Sequence, residues 1–189
     1  MVGKKNIVFG FIYLVFTAAL GPVMILNYVG DVNSSRSAKQ IQIGDLQNAV
    51  DAGFELDLDP MSADTIAKQN SLALLSLSAY LNSQEPINAI KGGPHSHGNL
   101  EAMLNIVVGL MLCLVAVTPL LKQIISWLFI IGTLGHSGLL YLAVGLEQAW
   151  AGSLLIGPVG YVGPSLILIG LLLAGVAAAI GFRGTPVED

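Results

Sequence analysis

Charged residues and cysteine are both scarce in this chain, and each shortage excludes a class of protein. Of 189 residues, only 11% are charged and 54% are hydrophobic, whereas soluble domains have about 25% charged residues. The single cysteine, Cys113, excludes a disulfide framework and a thiolate metal cluster. A net charge of −4 gives no reason to expect a nucleic-acid partner. The composition favours a protein that lies in a lipid bilayer.

Four stretches reach the length of about 20 apolar residues that a membrane-spanning helix needs. They are Ile7–Val29, Leu100–Leu120, Ile124–Leu146 and Pro164–Phe182. The first follows two lysines, as a signal peptide would, but its apolar run is too long and no Ala-x-Ala pattern closes it. We therefore expect a retained helix, kinked near Pro22, in an all-α integral membrane four-helix bundle.

Basic residues flank these spans on one side, which the positive-inside rule assigns to the cytoplasm. They are Lys4, Lys5, Lys122 and Arg183. Both chain ends are then expected in the cytoplasm of a multi-pass cell-membrane protein. Residues 30–94 form a long extracytoplasmic loop in this prediction, and their eight acidic residues suit that side. Within the loop, Ser62 precedes apolar residues at helical spacing, which predicts a short amphipathic helix over about 63–81.

Histidine is scarce as well, with three copies, and two of them open the second apolar stretch. The Gly92-Gly93-Pro94 break predicts that the second spanning helix begins near Pro94. His97, Glu101 and Asn105 then fall on one helix face at i, i+4 and i+8. His95 and Asn99 form a second row about 160° away. Polar groups beside hydrocarbon are functional candidates by default, although both histidines could instead be solvated interfacial residues.

Glu101 and His136 are the ionisable residues placed inside the predicted spans. A carboxylate at such a depth needs a partner or must stay protonated, and a hydrogen bond between helices would also explain it. His136 is either a ligand or a similar interhelical hydrogen bonder. Gly135 and Gly138 beside it would let a flat ligand or a neighbouring backbone come close.

Depth along the membrane normal favours haem over other metal sites. From the predicted span boundaries, His97 lies near the outer end of its helix and His136 near the middle of the next. The difference is roughly 12 Å, too far for both to ligate one iron from opposite sides. Tyr141 is expected nearer the level of Glu101 and Asn105. A site of two histidines and one carboxylate would lack its third ligand, whereas a haem needs one protein ligand and an apolar slot.

Short motifs in helices 2 to 4 resemble styrene oxide isomerase, a small four-helix membrane enzyme that binds haem b. A histidine opens helix 2, which continues through Leu104-Asn105 and Gly109-Leu110-Met111. Helix 3 carries Trp127 early and then Gly138-Leu-Leu-Tyr141-Leu, and a Gly-Pro loop leads into helix 4. The resemblance covers about half of the chain.

The resemblance implies a haem b at a subunit interface of a homo-oligomer, with the iron acting as a Lewis acid on an epoxide oxygen. His97, or alternatively His95, would be the axial ligand, Asn105 a pocket amide and Tyr141 a pocket hydroxyl. We expect Glu101, His136, Gly135 and Gly138 to surround the cofactor. The alternatives are a haem- or quinone-associated electron-transfer subunit, with Glu101 and His136 as proton or quinone contacts, and a cofactor-free accessory subunit. Membrane lipid and a small apolar substrate are the other expected partners.

Overall fold

The structure is a computed structural model that describes residues 1–187, and it is helical over most of that length. Its α-helices and strands follow in the order α1 (Gly3–Asp51), β1 (Glu55–Leu56), β2 (Asp59–Pro60), α2 (Ala63–Ile90), α3 (Ser96–Leu114), α4 (Pro119–Thr133), α5 (Ala149–Ile156) and α6 (Val162–Gly181). Three π-helical turns (Lys91–His95, Leu134–Gly138 and Tyr141–Gly145) and a 3₁₀ turn (Pro158–Tyr161) stand between them.

The predicted all-α class is confirmed, and four helical stretches are long and apolar enough to cross a membrane. They cover Gly3–Asp51, Ala63–Leu114, Pro119–Gly145 and Pro158–Gly181. Large apolar side chains such as Phe11, Val15 and Leu172 are more than half exposed on them, as expected where lipid is the solvent. The fold is therefore compatible with a multi-pass membrane protein.

The chain forms two compact units, and the smaller one comprises residues 22–88. Here the predicted loop is corrected, because α1 continues without interruption to Asp51 and α2 covers 28 residues from Ala63. A two-residue hairpin of positive-φ residues, Asp57 and Leu58, joins the short strands, as in a type I′ turn. The predicted cap of α2 is present, since the Ser62 hydroxyl accepts a hydrogen bond from the Thr65 amide at 3.1 Å. Hydropathy alone could not show this helical order, because the segment is polar on most faces.

The larger unit, residues 1–21 with those from Ala89 onward, holds all the candidate site residues. Its helices approach one another through glycines. A Cβ on Gly3 would lie 2.0 Å from the Gly109 carbonyl oxygen of α3, and one on Gly163 would lie 2.5 Å from the Gly135 carbonyl carbon. Small residues allow such close packing between helices in a membrane. An apolar core of α3, α4 and α6 lies between, including Leu112, Phe129 and Ala177.

The turn between α3 and α4 lies at residues 115–118, about five residues before the predicted one. Thr118 caps α4 by accepting a hydrogen bond from the Leu121 amide, and Pro119 takes the first helical position. The Arg183 amide donates to the Leu114 carbonyl at 2.9 Å, so the end of α6 meets the same turn. The basic residues that flank the spans therefore share one end of this unit, as the sequence predicted. Which side of the membrane that end faces stays a prediction.

Candidate functional site

The two predicted rows of α3 side chains face different neighbours. His95 and Asn99 both turn to Thr17 of α1: the His95 Nδ1 lies 2.9 Å from the Thr17 carbonyl, and the Thr17 hydroxyl donates to Asn99 Oδ1 at 2.8 Å. Glu101 and Asn105 turn instead to α4 and the π-helical turn that follows it. The break at Gly93, whose ψ of −108° is not helical, sets the register of the histidine that precedes α3.

Glu101 is the buried centre of the candidate site, with 4% of its surface exposed. One carboxylate oxygen lies 2.5 Å from His136 Nδ1, and the other accepts a hydrogen bond from the Ser137 hydroxyl at 2.6 Å. Ser137 in turn lies 2.9 Å from the Tyr13 hydroxyl of α1. Burial of a carboxylate is costly unless it is paired and hydrogen-bonded, and Glu101 has both kinds of partner. Its presence in an apolar helix is thus accounted for.

His97 and His136 adjoin each other beside this carboxylate. Their ring centroids are 4.8 Å apart at an interplanar angle of 68°. This contradicts the predicted 12 Å difference in depth. Residues 97 to 114 and residues 119 to 136 are both 17 steps from the turn between the two antiparallel helices, so both rings lie at the same height. The error arose from the misplaced turn, and the Thr118-Pro119 pair, a standard helix-start signal, is the clue that would have corrected it.

His97, Glu101 and His136 form a group that could hold a metal ion, with one ligand atom from each lying within 4.8 Å of the others. Two ligand atoms at about 2.1 Å from one ion are at most about 4.2 Å apart, so the widest pair must close by roughly half an ångström. His97 is exposed and has the freedom to do so. The missing third ligand of the sequence prediction is therefore His136.

The roles within this group follow from the distances. At 2.5 Å, the separation of Glu101 Oε1 and His136 Nδ1 is that of a hydrogen bond, whereas neighbouring ligands on one tetrahedral ion are about 3.4 Å apart. The carboxylate thus fixes the tautomer of His136 and leaves Nε2 for a ligand. Carboxylate–histidine–metal arrangements of this kind orient the ring and raise its basicity.

Asn105 lies one turn further along α3, in a separate cluster that we call the amide layer. This layer comprises Asn6, Asn105, Ser126 and Thr133. The Asn105 amide donates to the Glu101 carbonyl at 3.0 Å and to the Thr133 hydroxyl at 2.9 Å, and its oxygen accepts from Asn6 at 3.0 Å. Asn6 also donates to the Ser126 carbonyl at 3.1 Å and accepts from the Ser126 hydroxyl. With both of its N–H donors used and no exposed surface, Asn105 contacts the protein rather than a pocket.

The remaining predicted residues are divided between packing and a cavity. Gly135 packs against Gly163 of α6, where a Cβ would lie 3.4 Å from the Gly163 Cα, so a neighbouring backbone takes the close approach. Tyr141 lies five residues beyond His136, and no printed contact brings it to Glu101 or Asn105 among the described residues. It lines a cavity of about 340 Å³. The other lining residues are Tyr13, Phe16, Leu134, Gly138 and Leu142.

Three α1 residues that contact the site were missed from the sequence. Asn6, Tyr13 and Thr17 reach the amide layer, Ser137 and Asn99, respectively. Their positions fit i, i+7 and i+11 on one face of an apolar helix, which is the signal that could have found them. We call His97, Glu101, His136, Ser137 and Tyr13 together the histidine layer.

Comparisons with protein-family models, with curated proteins and with solved structures found no match. The chemistry of this chain therefore has to be argued from its own geometry.

Proposed function

We propose that this chain is a membrane-embedded metalloprotein that holds a haem b iron through His97. One observation carries the proposal: an exposed imidazole stands against a second imidazole whose far nitrogen is set by a buried carboxylate. Such an arrangement is costly to keep in an apolar bundle unless it binds something. The resemblance in helices 2 to 4 supports haem as the form of the metal.

The surroundings of His97 fit a flat apolar group. Leu100, one turn along α3, is 59% exposed, and Leu134, beside His136, is 50% exposed. A macrocycle lying on this surface would keep one face on the protein and offer the other to lipid or to a second copy of the chain. This agrees with the homo-oligomer that the resemblance implies.

The histidine geometry favours an iron with an open position. Imidazoles bound on opposite sides of one iron have ring centroids about 6 Å apart, given Fe–N bonds near 2 Å, but these rings are 4.8 Å apart and meet edge to face. His136 therefore cannot be the opposite axial ligand. When bound, a haem with an open position supplies a Lewis acid for the oxygen of a small apolar epoxide.

The chain's own residues would position such a substrate. Tyr13 and Tyr141 bring two hydroxyl-bearing rings to the 340 Å³ cavity beside Gly138, and the cavity's other side chains are apolar. Hydrogen bonds from these hydroxyls would orient the substrate oxygen, while Glu101 keeps His136 in one tautomer. Asn105, whose donors are occupied within the amide layer, has no part in this proposal.

The test is an absorption spectrum of the detergent-purified protein, with pyridine extraction and metal analysis, for two matched variants. His97→Ala should lose the bound haem, whereas His95→Ala should keep it, because His95 turns to the Thr17 carbonyl. Stoichiometric haem in His97→Ala would contradict the ligand assignment. A colourless wild-type protein from haem-replete cells would contradict haem, and a metal-free one would contradict the metalloprotein proposal altogether.

A second candidate function is proton-coupled electron transfer to a quinone. The observation that favours it is the unbroken series Tyr13, Ser137, Glu101 and His136, whose successive contacts are 2.9, 2.6 and 2.5 Å. Such a series can move a proton between the cavity and the histidine pair. A low-spin iron that binds neither cyanide nor carbon monoxide would favour this function, and an iron that binds them would favour the isomerase.

A further inference from the structure

The basic end of the larger unit carries a cavity of about 790 Å³ that the histidine and amide layers do not use. Its wall combines two lysines with apolar and amide side chains from α1 and α4. The residues are Met1, Val2, Lys4, Lys5, Val8, Phe9, Pro119 and Gln123. Two lysines in one cavity wall make it attractive to an anion.

A second cavity of about 410 Å³ adjoins the first along α4. Apart from Gln123, which lines both cavities, its wall is entirely apolar. The residues are Leu120, Gln123, Ile124, Trp127, Leu128, Ile131 and Leu166. From Gln123 to Ile131 the groove follows α4 for eight residues, which is about 12 Å.

Lys5 stands at the junction of the two cavities. Its Nζ donates to Gln123 Oε1 at 2.5 Å and lies 4.3 Å from the centre of the Trp127 ring. An ammonium has three N–H donors, so two remain for a ligand in the larger cavity. Lys4 is exposed at the same cavity. Trp127 is 51% exposed, at the place where an aromatic ring marks the boundary between headgroups and hydrocarbon.

We propose that these two cavities are one binding site for an anionic phospholipid. The phosphate binds at Lys4 and Lys5 in the larger cavity, and one acyl chain lies along the apolar groove between Ile124 and Ile131. The charge of the first cavity matches the headgroup, the wall of the second matches the chain, and Gln123 joins them in the order that an amphiphile requires. This inference does not depend on the proposed haem.

The experiment offers the delipidated protein an equimolar mixture of phosphatidylglycerol and phosphatidylcholine in detergent and counts the retained lipids by native mass spectrometry. Wild type should retain phosphatidylglycerol in preference. Lys5→Gln should lower that preference about fivefold, since one basic side chain near a membrane surface contributes about 1 kcal/mol. Arg183→Gln is the matched control, because it removes the same charge at the same end but does not line the cavity. Equal retention of the two lipids by wild type, or equal losses in the two variants, would overturn the proposal.

A groove variant separates a lipid from a simple anion. Leu128→Trp should fill the apolar groove and reduce retention of phosphatidylglycerol while leaving Lys4 and Lys5 in place. Inorganic phosphate, added to the lipid-loaded wild type, should fail to displace the lipid. Full displacement by phosphate, together with unchanged retention in Leu128→Trp, would show an anion site and overturn the assignment to a lipid. Unchanged helical circular dichroism confirms that each variant is folded.

Discussion

The histidine layer and the amide layer lie one helical turn apart on α3, yet their hydrogen bonds are organised differently. In the amide layer Asn6 and Asn105 have no exposed surface, and every amide group of the pair has a protein partner. In the histidine layer Glu101 is equally buried, but His97 is exposed and His136 keeps 19% of its side chain accessible. One layer is closed upon itself, and the other ends in imidazoles that face outward.

This difference separates a structural role from a functional one. Polar groups that satisfy one another completely can hold helices together but have nothing left for a ligand. A layer that fixes a buried carboxylate and then presents two rings at the surface is arranged to bind. The predictions below test this distinction, from the largest expected effect to the smallest.

Gly163→Ala should be the most damaging change, because it disturbs the backbone that supports the histidine layer. Its Cβ would lie 2.6 Å from the His136 amide nitrogen and 2.5 Å from the Gly135 carbonyl carbon, so the helices must separate. Overpacking of this kind costs about 1–3 kcal/mol or more. The measurement is unfolding by denaturing detergent. Gly175→Ala, where a Cβ would meet nothing within 4 Å, should have little effect, and equal losses in both variants would contradict the packing argument.

Asn105→Ala should destabilise the fold while the folded fraction still binds metal. The substitution leaves Asn6 and Thr133 without a buried partner, which costs about 1–3 kcal/mol. Unfolding titration and metal content of the folded fraction, measured together, check this expectation. If Asn105→Ala removed the metal without changing stability, the amide layer would be part of the site and the distinction between the layers would fail.

Glu101→Gln should have the opposite profile, with a larger effect on metal affinity than on folding. Replacement of a partner that orients a metal-binding histidine typically lowers affinity 10- to 100-fold, and the amide is close to the carboxylate in shape. Competition with a chelator of known affinity gives the change. An unchanged affinity with a large loss of stability would instead make Glu101 a purely structural hydrogen bonder.

Tyr13→Phe should give the smallest effect, since it removes one hydrogen bond to Ser137. Interhelical hydrogen bonds in membrane proteins contribute about 0.6 kcal/mol on average. The unfolding titration should change by about this amount, with the metal retained. Loss of metal in this variant would mean that the histidine layer depends on α1 more than its contacts indicate.

The sequence predicted the helical class and the two rows of α3 side chains because both follow from local rules. An apolar run of sufficient length predicts a spanning helix, and spacings of four residues put His97, Glu101 and Asn105 on one face whatever the rest of the chain does. The cap at Ser62 was likewise readable. The helical extent of residues 30–51 was not, since their polar faces carry no hydropathy signal.

The site itself was only half predictable. Glu101 and His136 were both identified as residues that need a partner, but their pairing depended on the height of one helix against the next. Hydropathy could not place the α3–α4 turn, because residues 115–121 are apolar on both sides of it. An error of about five residues in the turn displaces the two histidines in opposite directions, and it doubled into the predicted 12 Å.

Sequence alone determined that this chain is a set of apolar helices with three histidines and a carboxylate where hydrocarbon makes them costly. Tertiary structure alone decided which of these groups meet. It brought Glu101 to His136, gave Asn105 to Asn6, and turned His95 away towards Thr17. The physical reason is that residue spacing fixes the face of one helix, whereas the register between helices is set by glycine contacts and turns distant from the site.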